Sequence, residues 1–323
     1  MGVTRWGLLS TAAINDAILA GIRRSDIAEV VAVSSRDRER AEAYARERGI
    51  GRAHGSYEEL LADADVDVVY VALPNALHVE WAIRALEAGK HVLSEKPLSV
   101  EPREVERAFD AADRAGRLLM EGFMWRHQPQ AKKLAELAHD GTIGEVRLAR
   151  AQFSFTLTRD DDVRWLADLG GGGLLDVGCY CVNALRLVAG EPTNVLAQRV
   201  LAPGGADKRF TATLAFESGA LGHFDCGLDM PMRREVEVVG SEGVLFLEPA
   251  FGSDEGVLRL RRGDVVEEIE LPATHRYQLE VENFSRAARG EEPPLLDRAE
   301  SVAQARTLAT LLRSAETVAG LPS

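Results

Sequence analysis

Apolar residues run in short, nearly unbroken blocks through the first 120 positions, separated by longer stretches with helical spacing. The blocks 29–35 (EVVAVSS), 66–73 (VDVVYVAL), 91–95 (HVLSE) and 117–123 (RLLMEGF) predict buried strands. Strands apolar on both faces belong to a parallel sheet covered on both sides. Between them, 36–49, 76–89 and 101–116 carry amphipathic helical patterns, and each closes in Gly, the usual residue just past a helix end. Strand–helix alternation of this kind predicts a doubly wound α/β domain with right-handed crossovers. Ligands of such sheets sit beyond the C-terminal ends of the strands.

The rhythm changes after about residue 123. A helix over 129–141 gives way to alternating polar and apolar runs at 144–157, 194–201, 209–219, 220–229, 234–249 and 257–272. A period of two predicts a sheet with one packed and one open face. GSEG and RRGD break the strands as turns. A last helical segment, 298–320, closes the chain. The expectation is an α/β domain over 1–122, then an α+β domain over 123–323 with a large, mostly antiparallel open-faced sheet, the final helix packing back towards the first domain.

Bulk numbers narrow the functions. A length of 323 residues suits about two domains. The net charge of −13 argues against nucleic acid as the main partner, since phosphate binding needs basic patches. No run of about 18 apolar residues is evident, so no membrane span is expected. Cys179, Cys181 and Cys226 make no disulfide framework and fit a reducing, cytoplasmic setting. The seven His are scattered, and no C-x-x-C or H-E-x-x-H occurs, so no metal is expected.

Residues 6–15, WGLLSTAAIN, stand where a dinucleotide-binding loop would follow a first strand and open a first helix. The three glycine positions of that fingerprint fall on Ser10, Ala12 and Asn15. Small side chains at Ser10 and Ala12 still allow the backbone to approach a pyrophosphate, provided φ stays negative. On that reading Ser10, Thr11, Ala12, Ala13 and Ile14 contact the cofactor, and the Ser10 hydroxyl donates to it. Asn15 is larger and should alter how the first helix sits. The same segment also reads as a buried strand–helix turn. At the end of the second strand, Ser34, Ser35 and Arg36 stand where an NAD-selecting carboxylate is usual. A guanidinium beside two hydroxyls suits a 2′-phosphate, so NADP(H) is preferred over NAD(H). The alternative is a solvated Arg36 ahead of an Asp37 helix cap.

Residues 71–99, with Pro74-Asn75 and then Glu95-Lys96-Pro97, resemble the glucose–fructose oxidoreductase, inositol dehydrogenase and rhizopine-catabolism (Gfo/Idh/MocA) oxidoreductase family. The resemblance covers essentially the whole chain. Residues 170–183, GGGGLLDVGCYCVN, are similar to the family's second signature, with Tyr180 where D-x-G-x-H has His. That substitution, with EGFMWRHQP at 121–129, resembles the branch holding NADP-dependent D-xylose dehydrogenases, dimeric dihydrodiol dehydrogenases and sugar 3-ketoreductases. The resemblance implies a Rossmann domain, an open-faced sheet used to form a homodimer or homotetramer, and hydride transfer at a sugar-like carbinol or carbonyl. It adds Leu73, Pro74, Asn75, Leu77, His78, Glu95, Lys96 and Pro97 to the expected cofactor contacts.

Oxidising a carbinol needs a hydride acceptor and a base. Free Tyr titrates near pH ~10, so Tyr180 needs a neighbouring ammonium to act at neutral pH. Lys96 is the expected partner and would also position the substrate oxygen. Pro97 biases Lys96 towards an extended backbone. Tyr180 is thus the expected acid/base and Lys96 its electrostatic partner. Asp176, four residues before Tyr180, either contacts a substrate hydroxyl or caps a helix. Gly170–Gly173 either let backbone approach a ligand or form a plain loop. Trp125, Arg126 and Trp165 are candidate sugar contacts, with His127 beside them; core packing is the alternative. The expected activity is NADP(H)-dependent aldose 1-dehydrogenation of D-xylose or D-glucose. Reduction of a 3-keto sugar, oxidation of a trans-dihydrodiol, and a non-catalytic NADP-binding regulator are the alternatives.

Overall fold

A computed structural model describes residues 2–318. By backbone contacts the chain forms two units. One takes the chain to Met124 together with His275–Val302; the other takes Trp125–Thr274 and the chain from Ala303 on.

The first unit alternates strand and helix: β1 (Thr4–Leu9), α1 (Asn15–Ile22), β2 (Ala28–Ser34), α2 (Arg38–Arg48), β3 (Arg52–His54), α3 (Tyr57–Ala62), β4 (Val68–Val71), α4 (His78–Glu87), β5 (His91–Glu95), α5 (Pro102–Ala115) and β6 (Leu119–Gly122). Its six strands are parallel in the order β3-β2-β1-β4-β5-β6. All four residues of β4 are buried, as a strand covered on both faces requires. Gly49 and Gly116 end α2 and α5 in the left-handed conformation, at φ 65° and 60°. The order turns outward between β1 and β4, which places the ligand crevice at the C-terminal ends of these strands.

The second unit comprises α6 (Pro129–His139), β7 (Val146–Thr156), α7 (Cys179–Ala189), β8 (Pro192–Leu201), β9 (Asp207–Phe216), β10 (Leu221–Gly227), β11 (Asp229–Gly240), β12 (Val244–Glu248), β13 (Val257–Arg262) and β14 (Val265–Ile269). The chain then forms α8 (Arg276–Ala288), α9 (Arg298–Ser314) and β15 (Ala315–Thr317). The second sheet has nine strands, β14-β13-β12-β11-β7-β10-β9-β8-β15, antiparallel except for the β10–β7 and β15–β8 pairs. Val195, Leu214, Phe224, Ala151, Val236 and Leu247 alternate inward and are buried, and α6 and α7 pack on the sheet. On the other face Leu196 and Leu221 are exposed.

Five features differ from the sequence expectation. The sequence pattern does not predict β3 and α3, because elements of 3 and 6 residues carry too little periodicity. α8 is also absent from the sequence expectation, although Tyr277, Val281 and Phe284 repeat at helical spacing and are buried. It belongs to the first unit, so a single boundary at 122/123 is replaced by a first unit built from two chain segments. The helix expected over 298–320 ends at Ser314; Ala315–Thr317 instead joins the sheet edge beside β8, where Val318 N–H donates to Arg199 O at 2.9 Å. Residues 319–320 of that expectation lie outside the described residues. A run of helical turns, Ala167–Ala189, is long and apolar enough to cross a bilayer, contrary to the reading from apolar runs. Yet 83 % of that window is buried within the protein, as in a core helix.

Candidate active site

The β1–α1 turn departs from the expected geometry. Ser10 sits at φ +127°, where a negative value was expected, and no other non-glycine among the described residues has a positive φ. Its hydroxyl donates to the Ala72 carbonyl at 2.6 Å and accepts the Ala12 N–H at 3.2 Å. The single hydroxyl proton is therefore used inside the fold, which corrects the expected bond to a pyrophosphate. Asn15 is fully buried, and its side-chain amide donates to the Ser10 carbonyl at 2.8 Å. Thr11, Ala12, Ala13 and Ile14 lie on the more open side of the turn.

At the end of β2, Ser34 is fully buried with its hydroxyl directed at the Leu8 carbonyl, 3.4 Å away. That removes Ser34 from the expected phosphate contacts. Ser35 Oγ accepts the Asp37 N–H at 3.2 Å, and Asp37 caps α2. Arg36 is exposed and interacts with the Tyr57 hydroxyl; burial raises the Tyr57 pKa while the Arg36 and Arg40 charges oppose it.

Leu73, Pro74, Asn75 and Leu77 form the half-exposed turn after β4. His78 opens α4 but does not line that turn's surface. It is fully buried, with Nδ1 2.9 Å from the Pro97 carbonyl oxygen and Nε2 2.8 Å from the Leu73 carbonyl oxygen. Its ring ties two family motifs together through backbone, so the expected cofactor contact is replaced by a structural one. Burial, chiefly, and the Lys96 charge lower its pKa. Lys96 is 9 % exposed, and the Lys96–Pro97 peptide is cis. Behind them the Tyr70 hydroxyl donates to Glu95 Oε1 at 2.5 Å, and Glu121 Oε1 accepts the Leu98 N–H at 2.8 Å. The wholly buried Glu280 carboxyl of α8 has its pKa pushed well up by burial and by the Glu95 charge.

In the second unit Tyr180 sits at the start of α7, packed against the stacked pair Phe153 and Phe251 at ring distances of 5.5 and 5.7 Å. Trp125 is fully buried; its indole N–H donates to Asn183 Oδ1 at 3.1 Å and its ring meets Phe251 edge-on at 5.2 Å. It is a core residue, which corrects the expected sugar contact. Arg126 shares the Asn183 acceptor, at 3.4 Å. His127 is buried, and desolvation lowers its pKa to about 3. Trp165 is half-buried and donates to the Arg159 carbonyl at 2.9 Å.

Asp176 lies in a π-helical turn, Leu174–Gly178, that runs directly into α7. Arg164 Nε donates to its Oδ2 at 2.8 Å and Arg164 Nη1 to Asp162 Oδ1 at 3.2 Å. Sequence reading missed Arg164, Asn183, Tyr70 and Glu280; only Arg164, inside the charged run RDDDVRW, gave any signal. Among the described residues no group of three or more His, Cys, Asp or Glu could hold a metal ion.

Residues 6–123 match the family described as an oxidoreductase family with an NAD-binding Rossmann fold, and 131–246 match the GFO/IDH/MocA C-terminal domain. The chain belongs to the GFO/IDH/MocA oxidoreductase family. It is similar to the NADP(+) D-xylose 1-dehydrogenase 2 of Haloferax volcanii, 40 % identical over 323 residues covering 98 % of each chain. It is also similar to the trans-1,2-dihydrobenzene-1,2-diol dehydrogenase of Mus musculus, 36 % identical over 80 % of this chain and 78 % of that one. Among solved structures it is similar to the 3-ketoreductase KijD10 of Actinomadura kijaniata in complex with NADP and TDP-benzene. That likeness has a TM-score of 0.91 and 32 % identity, and covers 98 % of this chain and 99 % of the other. In this family member the parallel sheet and β1–α1 turn are the Rossmann part, and Asp176 and Tyr180 lie within the matched C-terminal domain.

Proposed function

We propose that this oxidoreductase is an NADP(H)-dependent aldose 1-dehydrogenase acting on D-xylose or D-glucose. The observation that carries this reading is the end-to-end 40 % identity with an NADP(+) D-xylose 1-dehydrogenase. The first unit fits such a cofactor: short side chains from Thr11 to Ala13 leave the turn open, and exposed Arg36 stands beside Ser35. Residues 11–14 would hold the pyrophosphate, Ser35 and Arg36 the 2′-phosphate, and the 73–77 and 95–97 segments the nicotinamide end. When bound, the nicotinamide gives or takes the hydride.

The chain's own residues handle the proton. Tyr180 Oη takes the proton of the C1 hydroxyl in oxidation and returns it in reduction. The Lys96 ammonium favours the phenolate and orients the reacting oxygen. Asp176, held by Arg164, receives a second substrate hydroxyl. Solved variants of KijD10 support the pair: one replaces a tyrosine by phenylalanine and one a lysine by alanine, at positions as far apart as Lys96 and Tyr180 are here.

A 3-ketoreductase is the second reading, favoured by the TM-score of 0.91 with KijD10. A nucleotide-sugar substrate needs unpaired positive charge for its phosphates, and the charge of Arg164 is met by Asp162 and Asp176. That favours an unphosphorylated sugar. Dihydrodiol oxidation is the third. The deciding experiment follows NADPH absorbance with aldoses, dihydrodiols and keto sugars. Aldose turnover with NADP+ ahead of NAD+ is expected; turnover of dihydrodiols or nucleotide keto sugars alone overturns the aldose reading, and no turnover of any class supports a regulator.

Two further expectations belong here. Leu196 and Leu221, exposed on the open face of the sheet, support a homodimer or homotetramer through that face; a monomer by light scattering overturns it. Cys179, Cys181 and Cys226 are buried and joined in no disulfide, which supports a reducing, cytoplasmic setting.

A further inference from the structure

We propose that Asp207 is a positioning residue whose carboxylate fixes the segment carrying Asp176 and Tyr180. The proposal rests on the acid/base reading of Tyr180 above.

Asp207 opens β9 and is 4 % exposed. Its Oδ2 accepts the Leu174 backbone N–H at 2.8 Å. The chain just before Leu174 passes over the carboxylate so closely that a methyl group has no room. On Gly172 it would stand 2.3 Å from Oδ1, and on Gly173 3.2 Å from Oδ2. Gly172 also sits at φ +120°, a conformation that side chains rarely adopt. Gly172 and Gly173 are thereby accounted for as the saddle on which a buried carboxylate rests.

The first N–H groups of a helical segment have no acceptor within it, and a carboxylate there meets both their hydrogen-bonding need and the helix dipole. Leu174 begins the π-helical turn that continues into α7. Asp176 is the third residue of that turn and Tyr180 the second of α7, so the fixed end sets both. Arg164 holds the same segment from the other side. Its carbonyl accepts the Gly172 N–H at 2.9 Å, and its guanidinium binds Asp176.

Arg199 of β8 and the Cys226 thiol of β10 face Asp207, together with backbone N–H groups of Gly173 and Leu174. Burial pushes the Cys226 thiol well up, so it stays neutral. Burial also raises the Asp207 carboxyl to about 7, with the N–H groups and Arg199 opposing it. The anchor therefore changes charge near neutral pH, and a charge-assisted hydrogen bond becomes a weaker neutral one on acidification.

The test combines Asp207→Asn, which keeps the shape and removes the charge, with Gly172→Ala, which lifts the chain off an intact Asp207. Amide hydrogen exchange of residues 172–180 should quicken in both. In both, kcat should fall about 10- to 100-fold while NADPH affinity holds, the loss expected from a small misplacement of reacting groups. The wild-type kcat–pH profile should show a limb near 7 that Asp207→Asn lacks. Quicker exchange with wild-type kcat and pH profile would reduce Asp207 to a merely structural part, and unchanged exchange would remove the anchor altogether. The exchange arm needs no substrate, so it stands even if Tyr180→Phe disproves the acid/base reading.

Discussion

The side-chain amide of Asn15 donates to the carbonyl oxygen of Ser10 across the β1–α1 turn, at 2.8 Å. A polar clamp thus closes the turn where three glycines were the reference pattern. Ser10 keeps a glycine-like φ of +127° despite its side chain.

Ser10→Gly and Ser10→Ala should therefore part company. Alanine keeps the strained backbone, worth about 1–3 kcal/mol, and loses a hydroxyl bond worth about 1 kcal/mol. Glycine loses the same bond but relieves the strain. Thermal unfolding should place Ser10→Ala below wild type and Ser10→Gly clearly above Ser10→Ala. Equal Tm values for the two variants would mean that the backbone at Ser10 carries no strain.

Tyr180→Phe should cost several orders of magnitude in kcat. The Phe153 and Phe251 ring contacts survive the change, so the variant should still fold and melt cooperatively. Turnover assays beside a melting curve check this, and retained turnover removes Tyr180 from the chemistry.

Arg36→Ala should raise the KM for NADP+ far more than that for NAD+, because it removes the charge proposed to meet the 2′-phosphate. Steady-state kinetics with both cofactors decide it. Equal effects on the two would dismiss the 2′-phosphate role.

His127 gives the fold an acid-sensitive component. Its pKa falls from 6.5 to about 3 in the folded state, so the unfolded chain binds the extra proton between those values. That stability is fully present above 6.5 and is lost as pH drops towards 3, at about 1.4 kcal/mol per unit. Asp207 acts with the opposite sign: its raised pKa means stability falls as pH rises from about 4 towards 7. His127→Phe keeps an aromatic ring and removes the titration. Denaturant unfolding at pH 7 and pH 5 should show wild type losing about 2 kcal/mol more than the variant. Parallel losses would show that His127 is protonated in the fold.

The parallel sheet was legible because β4 and β5 are buried on both faces, and the family because Glu95-Lys96-Pro97 and Asp176 to Tyr180 form distinctive strings. What escaped was set by distant partners. Nothing near Gly172 reveals that Asp207, 35 positions later, fills the space a side chain would need. Trp125 reads as a sugar contact until Asn183 is seen accepting its indole N–H. His78 reads as a ligand contact until both ring nitrogens are found against carbonyls.

The return of α8 to the first unit bears on how the protein is made. Trp6 lies 5.4 Å from Phe284 and donates to Ser285, and at Gly21 a methyl group would come within 2.6 Å of the Tyr277 backbone. A chain leaving the ribosome from its N-terminus offers β1 and α1 first, yet their cover emerges only after residue 275. The nucleotide-binding half, although encoded first, is the half that must wait, and a fragment cut at the apparent end of that domain would expose the Trp6 surface that α8 seals.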